Sequence, residues 1–373
     1  MTERQITLHL KRTRLKFPIL AVLGPKQSGK TTLILDEFSQ SEPTYIDLKS
    51  DSTELLKQCK KMPIIIDNAH CAPKLLKTLP DLVGGFKHNF KKQIILIGLP
   101  HTAFKKEILK LKKDKLAGVV NLMPLTIAES MEKHRDQCIY SGFMPAVCLG
   151  KERISPTLFY AKYYRDYLES EAWRFIKSAN RKGFSKFVAL LAERVGQTVN
   201  LNSLSKKAGV SSATLLSWLN LLENSCIIFR VPWYTNNFGK RLIKSPKIYF
   251  TDVGLASYLL GIENPKQVAG HKLLDSLFEN MVVAEILKNI YNAGEEPELY
   301  HFTDNHGVKI DLILVGKKTH LIEINPSAVY DSSFAGDIRK ISGKIKLDKC
   351  MTVIYAGEKI GSSVRNFADG LMF

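Results

Sequence analysis

The feature that most constrains this chain is the eight-residue segment GPKQSGKT at residues 24–31. It lies between an apolar run, PILAVL at 18–23, and a helical pattern, TTLILDEF at 31–38. A buried strand, a glycine-containing loop and a helix in this order are typical of the phosphate-binding P-loop, G-x-x-x-x-G-K-[ST]. Backbone N–H groups of such a loop, together with the helix N-terminus, face phosphate oxygens. The segment therefore predicts a nucleoside triphosphate site.

Each part of the loop has its own predicted role. Gly24 and Gly29 allow the backbone to wrap closely around phosphate groups. Lys30 would reach the β- and γ-phosphates, and Thr31 would offer its hydroxyl to Mg²⁺. The predicted nucleotide-binding residues are Gly24, Pro25, Lys26, Gln27, Ser28, Gly29, Lys30, Thr31 and Thr32. ATP and Mg²⁺ are the expected cofactors, and a glycine turn before an ordinary amphipathic helix is the alternative.

A carboxylate follows another apolar run, MPIIIDNAH at residues 62–70. Asp67 stands at the carboxyl end of this predicted strand, where a Walker B aspartate belongs. It would hold Mg²⁺, usually through water, beside Thr31. If the protein hydrolyses ATP, Asp67 and Lys30 are its predicted catalytic residues.

The residue after Asp67 argues against fast hydrolysis. Hydrolysing enzymes of this kind commonly carry a glutamate there, which polarises the attacking water. This chain has Asn68, whose amide cannot accept a proton. His70 and Glu37 are the alternative bases, and the spacing selects neither. Binding of ATP is therefore a safer prediction than its turnover.

Short apolar runs alternate with helical patterns through the first third of the chain. The predicted strands are 18–23, 44–48, 62–70, 93–100 and 119–125. Helical patterns lie between them, one through Leu55 and Leu56 and another through Leu75 to Leu82. This βαβ rhythm predicts an α/β fold, a parallel sheet covered by helices on both faces.

The pattern changes after this block. Residues 184–224 have helical periodicity with a break at 208–211, which predicts a helix-turn-helix, and 226–234 reads as the strand of a wing. A three-helix packing unit without DNA contact is the alternative. From residue 247 onward, strand-like runs and an amphipathic helix at 275–291 indicate a separate α/β unit.

Charge is the outlying property of the composition. The 54 basic and 36 acidic residues give a formal net charge of +18. Such a surplus favours a polyanionic partner such as DNA, although an anionic membrane surface or a solvated lysine-rich surface would also explain it. The lysine-rich run at 105–115 is a solvated helix face or a nucleic-acid contact. Better candidates for phosphate contact flank the helix-turn-helix and are Lys206, Lys207, Arg230, Lys240, Arg241 and Lys244.

Cysteines and apolar runs bear on the compartment. The six cysteines are scattered, without a C-x-x-C pair or a Cys/His cluster, so neither a zinc site nor a disulfide framework is predicted. The sequence has no signal-peptide pattern and no apolar run of about 18 residues that could span a bilayer. A cytoplasmic protein without a membrane partner is the prediction.

A second group of candidate site residues consists of acidic side chains. Glu279 falls in a predicted helix, and Asp311 and Glu323 fall in two successive strands. These carboxylates could converge on Mg²⁺, in the layout of restriction-endonuclease-like sites. In such sites a lysine two residues beyond the last acid helps to activate water, and here that position is Asn325. We therefore expect a degenerate nuclease site, or an ion-paired cluster whose partners are Lys309, Lys317 and Lys318.

The order of these parts resembles a large prokaryotic family of AAA-type ATPases with a C-terminal winged-helix and restriction-endonuclease-like domain. The resemblance runs from about Ile6 to Ser327. It is carried by the P-loop, IIID, ILIGLP, LAG, MPLTIAES, SGFMPAV, KSPKIYFTDVGLASYLLG, LFENMVVAEILK, KIDLIL and LIEIN. It implies an ATP-binding module followed by a DNA-binding type of module.

Several catalytic groups of that family are replaced here. Asp67 is followed by Asn68 rather than glutamate, and the T-G-S of the sensor strand is Ile97-Gly98-Leu99. Val119 stands where an arginine tends to follow LAG, which puts hydrolysis dependent on a ring of subunits in doubt. These replacements favour a nucleotide-regulated binder, with a homo-oligomer as an open expectation.

The predicted domains are a P-loop AAA-like ATP-binding domain at 1–130, a helical connector at 131–180, a winged helix-turn-helix at 181–245 and a restriction-endonuclease-like α/β domain at 246–373. The leading functional prediction is an ATP- and Mg²⁺-binding protein that binds DNA under nucleotide control, with weak or absent hydrolysis. The alternatives are an active ATPase that drives DNA remodelling, a Mg²⁺-dependent nuclease and a non-enzymatic protein-interaction scaffold.

Overall fold

The computed structural model describes residues 3–49, 62–83, 92–150, 154–169, 172–173, 176–177, 180–235, 245–304, 306–342 and 348–373. The chain forms two compact units. The N-terminal unit comprises Met1–Pro124, Asn224–Ile227 and Tyr291–Glu295. The C-terminal unit comprises Leu125–Glu223, Ile228–Ile290 and Glu296–Phe373. The finer four-part division of the chain stays a prediction.

The N-terminal unit is built on a five-stranded sheet in which all neighbouring strands run parallel. Its strands are β1 (Ile19–Leu23), β2 (Thr44–Asp47), β3 (Ile64–Asp67), β4 (Ile94–Gly98) and β5 (Ala117–Asn121). Their order across the sheet is β2-β3-β4-β1-β5. In such sheets ligands bind beyond the carboxyl ends of the strands. At this edge β1 leads into the glycine-rich loop, and β3 ends at Asp67.

Helices cover both faces of this sheet. They are α1 (Thr7–Arg14), α2 (Lys30–Glu37), α3 (Leu79–Val83) and α4 (Thr102–Lys113). Ala21 of β1 lies in one core cluster with Phe104 of α4, and Val22 lies in another with Ile34 of α2. Because successive strand residues point to opposite faces, the two clusters fill the two sides of the sheet. The predicted parallel α/β sheet with flanking helices is confirmed.

The C-terminal unit begins with helices. They are α5 (Ile127–Ser130), α6 (Arg135–Ser141), α7 (Pro145–Cys148), α8 (Pro156–Lys162), α9 (Arg181–Ala192), α10 (Leu201–Ala208) and α11 (Ser212–Asn224). Gly209 ends α10 with a φ of +74°, a left-handed conformation that favours glycine at a helix C-terminus. The strand β6 (Ile228–Val231) follows α11 and pairs antiparallel with β7 (Lys247–Phe250). The two helices and the strand lie where the sequence predicts them, and their binding to DNA stays a prediction.

A second five-stranded sheet completes this unit. Its strands are β8 (Leu299–Thr303), β9 (Lys309–Leu314), β10 (Thr319–Asn325), β11 (Lys349–Tyr355) and β12 (Val364–Asn366). The order is β12-β11-β10-β9-β8, with β8, β9 and β10 antiparallel and β10, β11 and β12 parallel. The accompanying helices are α12 (Val253–Leu259), α13 (Leu274–Ala293) and α14 (Gly336–Ser342).

Helix α13 differs from its predicted amphipathic character, because every residue from 277 to 289 is buried. Its polar side chains find partners inside the unit. Asn280 accepts a hydrogen bond from the Phe250 N–H at 2.6 Å and donates to the Phe250 carbonyl at 3.0 Å. Lys288 donates to the Leu125 carbonyl at 2.8 Å. Polar groups satisfied in this way are compatible with burial, so the polar positions of α13 do not mark a solvent face.

Other elements fall outside the sequence predictions. The sequence patterns predict neither the helices α1, α12 and α14 nor the strand β12. The helix expected through Leu55 and Leu56 lies outside the described residues. Short 3-10 helices occupy Ser39–Ser41, Ala69–Cys71, Pro73–Lys77, Pro265–Gln267 and Ser332–Ala335, and a π-helix occupies Tyr163–Glu169. None of the described helices is both long and apolar enough to cross a membrane.

Candidate functional site

The glycine-rich loop is fixed by its backbone conformation. Gly24, Gln27 and Gly29 have positive φ angles of 152°, 59° and 92°. A Cβ atom at Gly24 would lie 2.0 Å from the carbonyl oxygen of Leu122, just beyond β5. Only glycine permits this approach between two backbones at the carboxyl edge of the sheet. Within the loop, the buried Ser28 hydroxyl donates to the Pro25 carbonyl at 3.0 Å.

Arg4 supports the loop from a distant part of the chain. Its guanidinium donates to the carbonyl oxygens of Ser28 and Met123, each at 2.9 Å. Both bonds are buried, so they restrain the loop and the segment after β5 at the same time. No sequence pattern predicts this contact, since nothing in the P-loop motif specifies a residue 24 positions away.

Lys30 begins α2, and its ammonium points back into the loop. Its Nζ donates to the carbonyl oxygen of Gly24 at 3.0 Å and also to that of Pro25. Burial lowers the pKa of Lys30 to about 8, because the charged form loses solvation. Phosphate oxygens are stronger acceptors of the same kind as these carbonyls, so the ammonium is placed to exchange one set for the other.

Thr31 and Asp67 meet beside Lys30. The Thr31 hydroxyl donates to Oδ2 of Asp67 at 2.6 Å, and the Tyr45 hydroxyl donates to the same oxygen at 2.9 Å. The other oxygen, Oδ1, accepts the N–H of Asn68 at 2.6 Å. A hydroxyl and a carboxylate are the hard oxygen ligands that Mg²⁺ prefers, and phosphates and water complete its shell in nucleotide sites. The residues present therefore fit Mg²⁺ held with a nucleotide.

Asn68 has both ends of its amide engaged. Its Oδ1 accepts from the Lys26 ammonium at 2.8 Å, and its Nδ2 donates to Oδ1 of Asp47 at 2.7 Å. Its φ of +51° is in the left-handed region, which asparagine tolerates better than most residues. The residue after the Walker B position thus serves as a hydrogen-bonding bridge, and it offers no group that can take a proton.

Neither alternative base is suited to activating water. Burial lowers the pKa of His70 to about 3, and its Nδ1 accepts the Leu99 N–H at 3.3 Å. Its other nitrogen then carries the proton, so the ring has no basic site left. Glu37 pairs with Arg14 at the far end of α2, seven positions from Lys30 and about 10 Å along the helix axis.

The three predicted acids of the C-terminal unit come together, and two of them contact a lysine. Oε1 of Glu279 on α13 accepts from the Lys247 ammonium at 2.6 Å and from the Tyr249 hydroxyl at 2.5 Å. The same ammonium lies 3.8 Å from Oδ1 of Asp311 on β9. Lys247 stands on β7 and was not singled out from the sequence. Within the described residues, no group of three or more His, Cys, Asp or Glu side chains is arranged to hold a metal ion.

Asp311 is the centre of this cluster. Its Oδ1 also accepts from Lys309 at 3.2 Å, and its Oδ2 accepts the Ile324 N–H at 3.1 Å. Burial is the main cause that raises the pKa of Glu323, and the negative charge of Asp311 raises it further. The two carboxyl groups share a hydrogen bond. Glu323 is therefore the protonated partner near neutral pH. The contact with Lys309 agrees with the ion-paired alternative rather than with an open nuclease site.

The basic residues proposed around the helix-turn-helix are only partly described. Arg230 pairs with Glu223 of α11 and donates to Asn220 at 3.2 Å. Lys206 and Lys207 are exposed on α10, and α11 itself contains no lysine or arginine. The other proposed phosphate contacts lie outside the described residues and are Lys240, Arg241 and Lys244.

Two family models match parts of the chain. They are "Domain of unknown function (DUF8612)" at residues 132–266 and "Domain of unknown function (DUF4143)" at residues 274–367. Two curated relatives are Uncharacterized protein Rv2008c of Mycobacterium tuberculosis and Uncharacterized protein Mb2031c of Mycobacterium bovis. Each is 23% identical over 367 residues, which cover 95% of this chain and 80% of the relative.

Among solved structures, the chain is similar to the Walker-type ATPase paby2304 of Pyrococcus abyssi, with a TM-score of 0.48 and 13% identity. The match covers 70% of this chain and 96% of that one. The Thermotoga maritima RuvB Holliday junction branch migration motor gives a TM-score of 0.31 and 16% identity, covering 61% and 88%. Both scores are below 0.5, so the basis for the fold is the sheet and loop of this chain itself.

Proposed function

We propose that this protein binds ATP with Mg²⁺ through residues 24–32 and hydrolyses it slowly or not at all. The observation that carries the proposal is the meeting of Lys30, Thr31 and Asp67 at the carboxyl edge of a parallel sheet. In this proposal the loop amides and Lys30 bind the phosphates, while Thr31 and Asp67 hold Mg²⁺.

Slow turnover is proposed because the groups that would drive it are absent or engaged. Asn68 bridges Lys26 and Asp47, and the unprotonated nitrogen of buried His70 is engaged by the Leu99 N–H. Without a residue that orients and deprotonates water, bound ATP persists and can act as a regulatory ligand. An active ATPase remains the competing function, and it requires a base supplied from elsewhere.

An equilibrium titration with fluorescently labelled ATP tests the binding proposal. Wild-type protein should bind, and Lys30→Ala should lose most of the affinity, since the variant lacks the ammonium that lies against the carbonyls of Gly24 and Pro25. Lys115→Ala is the matched control, because Lys115 is an exposed lysine of the same unit. Equal binding by Lys30→Ala and wild type would refute the proposal. Phosphate release measured on the same samples separates slow turnover from an active ATPase.

We propose nucleic-acid binding as a second function, favoured by one face of α4. Residues 105–115 contain six lysines, all exposed, against two acidic residues. Phe104, Ile108 and Leu111 bury the opposite side of the helix in the core. A helix face that presents several exposed ammonium groups can neutralise backbone phosphates and release their counterions. Lys110 pairs with Glu107 of the same helix, and on the other basic surface Arg230 pairs with Glu223.

A salt titration of labelled duplex DNA binding distinguishes the two basic surfaces. Lys106→Glu combined with Lys113→Glu should weaken binding and reduce the slope of log affinity against log salt concentration. The matched double variant on α10, Lys206→Glu with Lys207→Glu, should change the affinity and the salt slope much less. The opposite order would place DNA on the helix-turn-helix. Binding to anionic vesicles without binding to DNA would contradict the proposal. Repeating the titration with ATP tests nucleotide control.

A further inference from the structure

We infer that the ammonium of Lys247 is a built-in cation of the acidic cluster and occupies the place that a divalent metal ion would otherwise take. The inference concerns the C-terminal unit alone and is independent of ATP binding. It means that the carboxylates of Glu279 and Asp311 act as a structural ion pair, and that this unit does not use them to cleave nucleic acid.

The position of the ammonium carries the inference. Lys247 Nζ lies 2.6 Å from Oε1 of Glu279 and 3.8 Å from Oδ1 of Asp311, so it bridges a helix carboxylate and a strand carboxylate. The side chains of Lys247 and Glu279 are each 11% exposed, and that of Asp311 is 3% exposed. A metal ion that bridged these two oxygens would occupy the same space as the ammonium.

Other donors also reach these two carboxylates. Oε1 of Glu279 accepts the Tyr249 hydroxyl, and Oδ2 of Asp311 accepts the Ile324 N–H. Lys309 reaches Oδ1 of Asp311 from a more exposed position, with 57% of its side chain accessible. A divalent ion would therefore meet the ammonium groups of Lys247 and Lys309 within a few ångströms, and charge repulsion would disfavour it.

The lysine is also held in place by the fold. Lys247 starts β7 and is opposite Val231 of β6 in the antiparallel pair, with an isolated bridge to Thr198. Its backbone is thus fixed by two neighbours, and displacement of its ammonium would leave the buried carboxylate of Glu279 without this partner. Removal of the ammonium should consequently leave a cation-deficient pocket that a metal ion can enter.

Calorimetric titration of nucleotide-free protein with Mn²⁺ tests this. Lys247→Met, which keeps the length and packing of the side chain, should gain one Mn²⁺ site at least about tenfold tighter than any in wild type. Lys309→Met is the matched control: it removes the other lysine of the cluster and should gain no site. Adding Asp311→Asn to Lys247→Met should abolish the gain.

Two results would overturn the inference. One is a folded Lys247→Met variant, judged by circular dichroism, that binds Mn²⁺ no better than wild type. The other is wild-type protein that binds Mn²⁺ more tightly than the single variant Asp311→Asn, because the cluster would then hold a metal despite its lysine. This second comparison decides the question even where Lys247→Met fails to fold.

Discussion

The hydroxyl of Thr31 donates a 2.6 Å hydrogen bond to the carboxylate of Asp67, 36 positions away in the sequence. Thr31 lies in the first turn of α2, and Asp67 ends β3, which is separated from β1 by β4. The bond sets the two proposed Mg²⁺ ligands side by side. Binding then requires little rearrangement of these two side chains.

Asp67→Asn should remove the Mg²⁺-dependent part of ATP affinity. The variant keeps the size of the side chain but loses the charge that favours a divalent ion. We expect Mg²⁺ to increase the affinity of the wild-type protein for ATP. In the variant, the factor by which Mg²⁺ increases this affinity should be smaller by about tenfold or more. Titrations with Mg²⁺ and with EDTA measure it. Asp36→Asn, at an exposed position of α2, should behave as wild type, and an unchanged factor in Asp67→Asn would exclude Asp67 as a metal ligand.

ATP affinity should fall as the pH rises above about 8, because burial lowers the pKa of Lys30 to about 8. Above that pH the lysine of the nucleotide-free protein is mostly neutral, whereas a bound triphosphate favours its charged form. Binding must then take up a proton, which weakens it by up to about tenfold per pH unit until the pKa of the bound state is reached.

Calorimetric titrations at about pH 7 and about pH 9.5, in buffers of different ionisation enthalpy, measure the affinity and the proton uptake together. The Lys30→Met variant should bind ATP weakly at both pH values, and its binding should take up no proton at this site. Wild-type affinity that stays constant across this range would show that the lysine is not neutralised there, or that it makes no contact with the phosphates.

Gly24→Ala should destabilise the N-terminal unit and abolish ATP binding. The added Cβ would lie 2.0 Å from the Leu122 carbonyl oxygen, in a backbone conformation that side chains rarely adopt. We expect a loss of about 3 kcal/mol or more in the free energy of unfolding. Thermal unfolding measures it. Gly270→Ala is the control, since nothing lies within 4 Å of its Cβ position, and equal effects of the two changes would contradict the close approach at Gly24.

Lys288→Met should destabilise the C-terminal unit far more than Lys340→Met. Lys288 lies 3.3 Å from Glu285, and the two side chains are only 2% and 3% exposed. Its loss leaves a buried carboxyl group and the Leu125 carbonyl without this donor, which costs about 3 kcal/mol. The Lys340–Asp337 pair is at the surface and contributes less than about 1 kcal/mol. Unfolding midpoints that shift equally would show that burial of Lys288 does not matter.

The loop and the first sheet could be predicted because their information is local. GPKQSGKT specifies a strand, a turn and a helix within a short stretch, and Asp67 follows directly from the end of an apolar run. The burial of strands on both faces also follows from continuous apolar runs such as PILAVL. Each of these inferences needs only neighbours in sequence.

The partners of the site residues could not be predicted, because they are distant in sequence. Arg4 reaches Ser28, and Lys247 reaches Glu279 and Asp311, only once the elements have packed. The burial of α13 was missed for the same reason. From the sequence alone, its glutamate, asparagine and lysine side chains indicate a solvent-facing surface. Only their hydrogen-bond partners on other elements show that they are buried. Local pattern specifies elements, whereas the satisfaction of buried polar groups depends on tertiary structure.

A crystal structure with Mg²⁺ and a non-hydrolysable ATP analogue tests the central claim most directly. We predict β- and γ-phosphate oxygens within hydrogen-bonding distance of the loop amides between Gly24 and Thr31. We also predict that Lys30 Nζ leaves the carbonyls of Gly24 and Pro25 for the phosphates, with Mg²⁺ beside Thr31 and Asp67. An analogue bound elsewhere at saturating concentration, with Lys30 still on those carbonyls and the loop closed by its own side chains, would contradict the account.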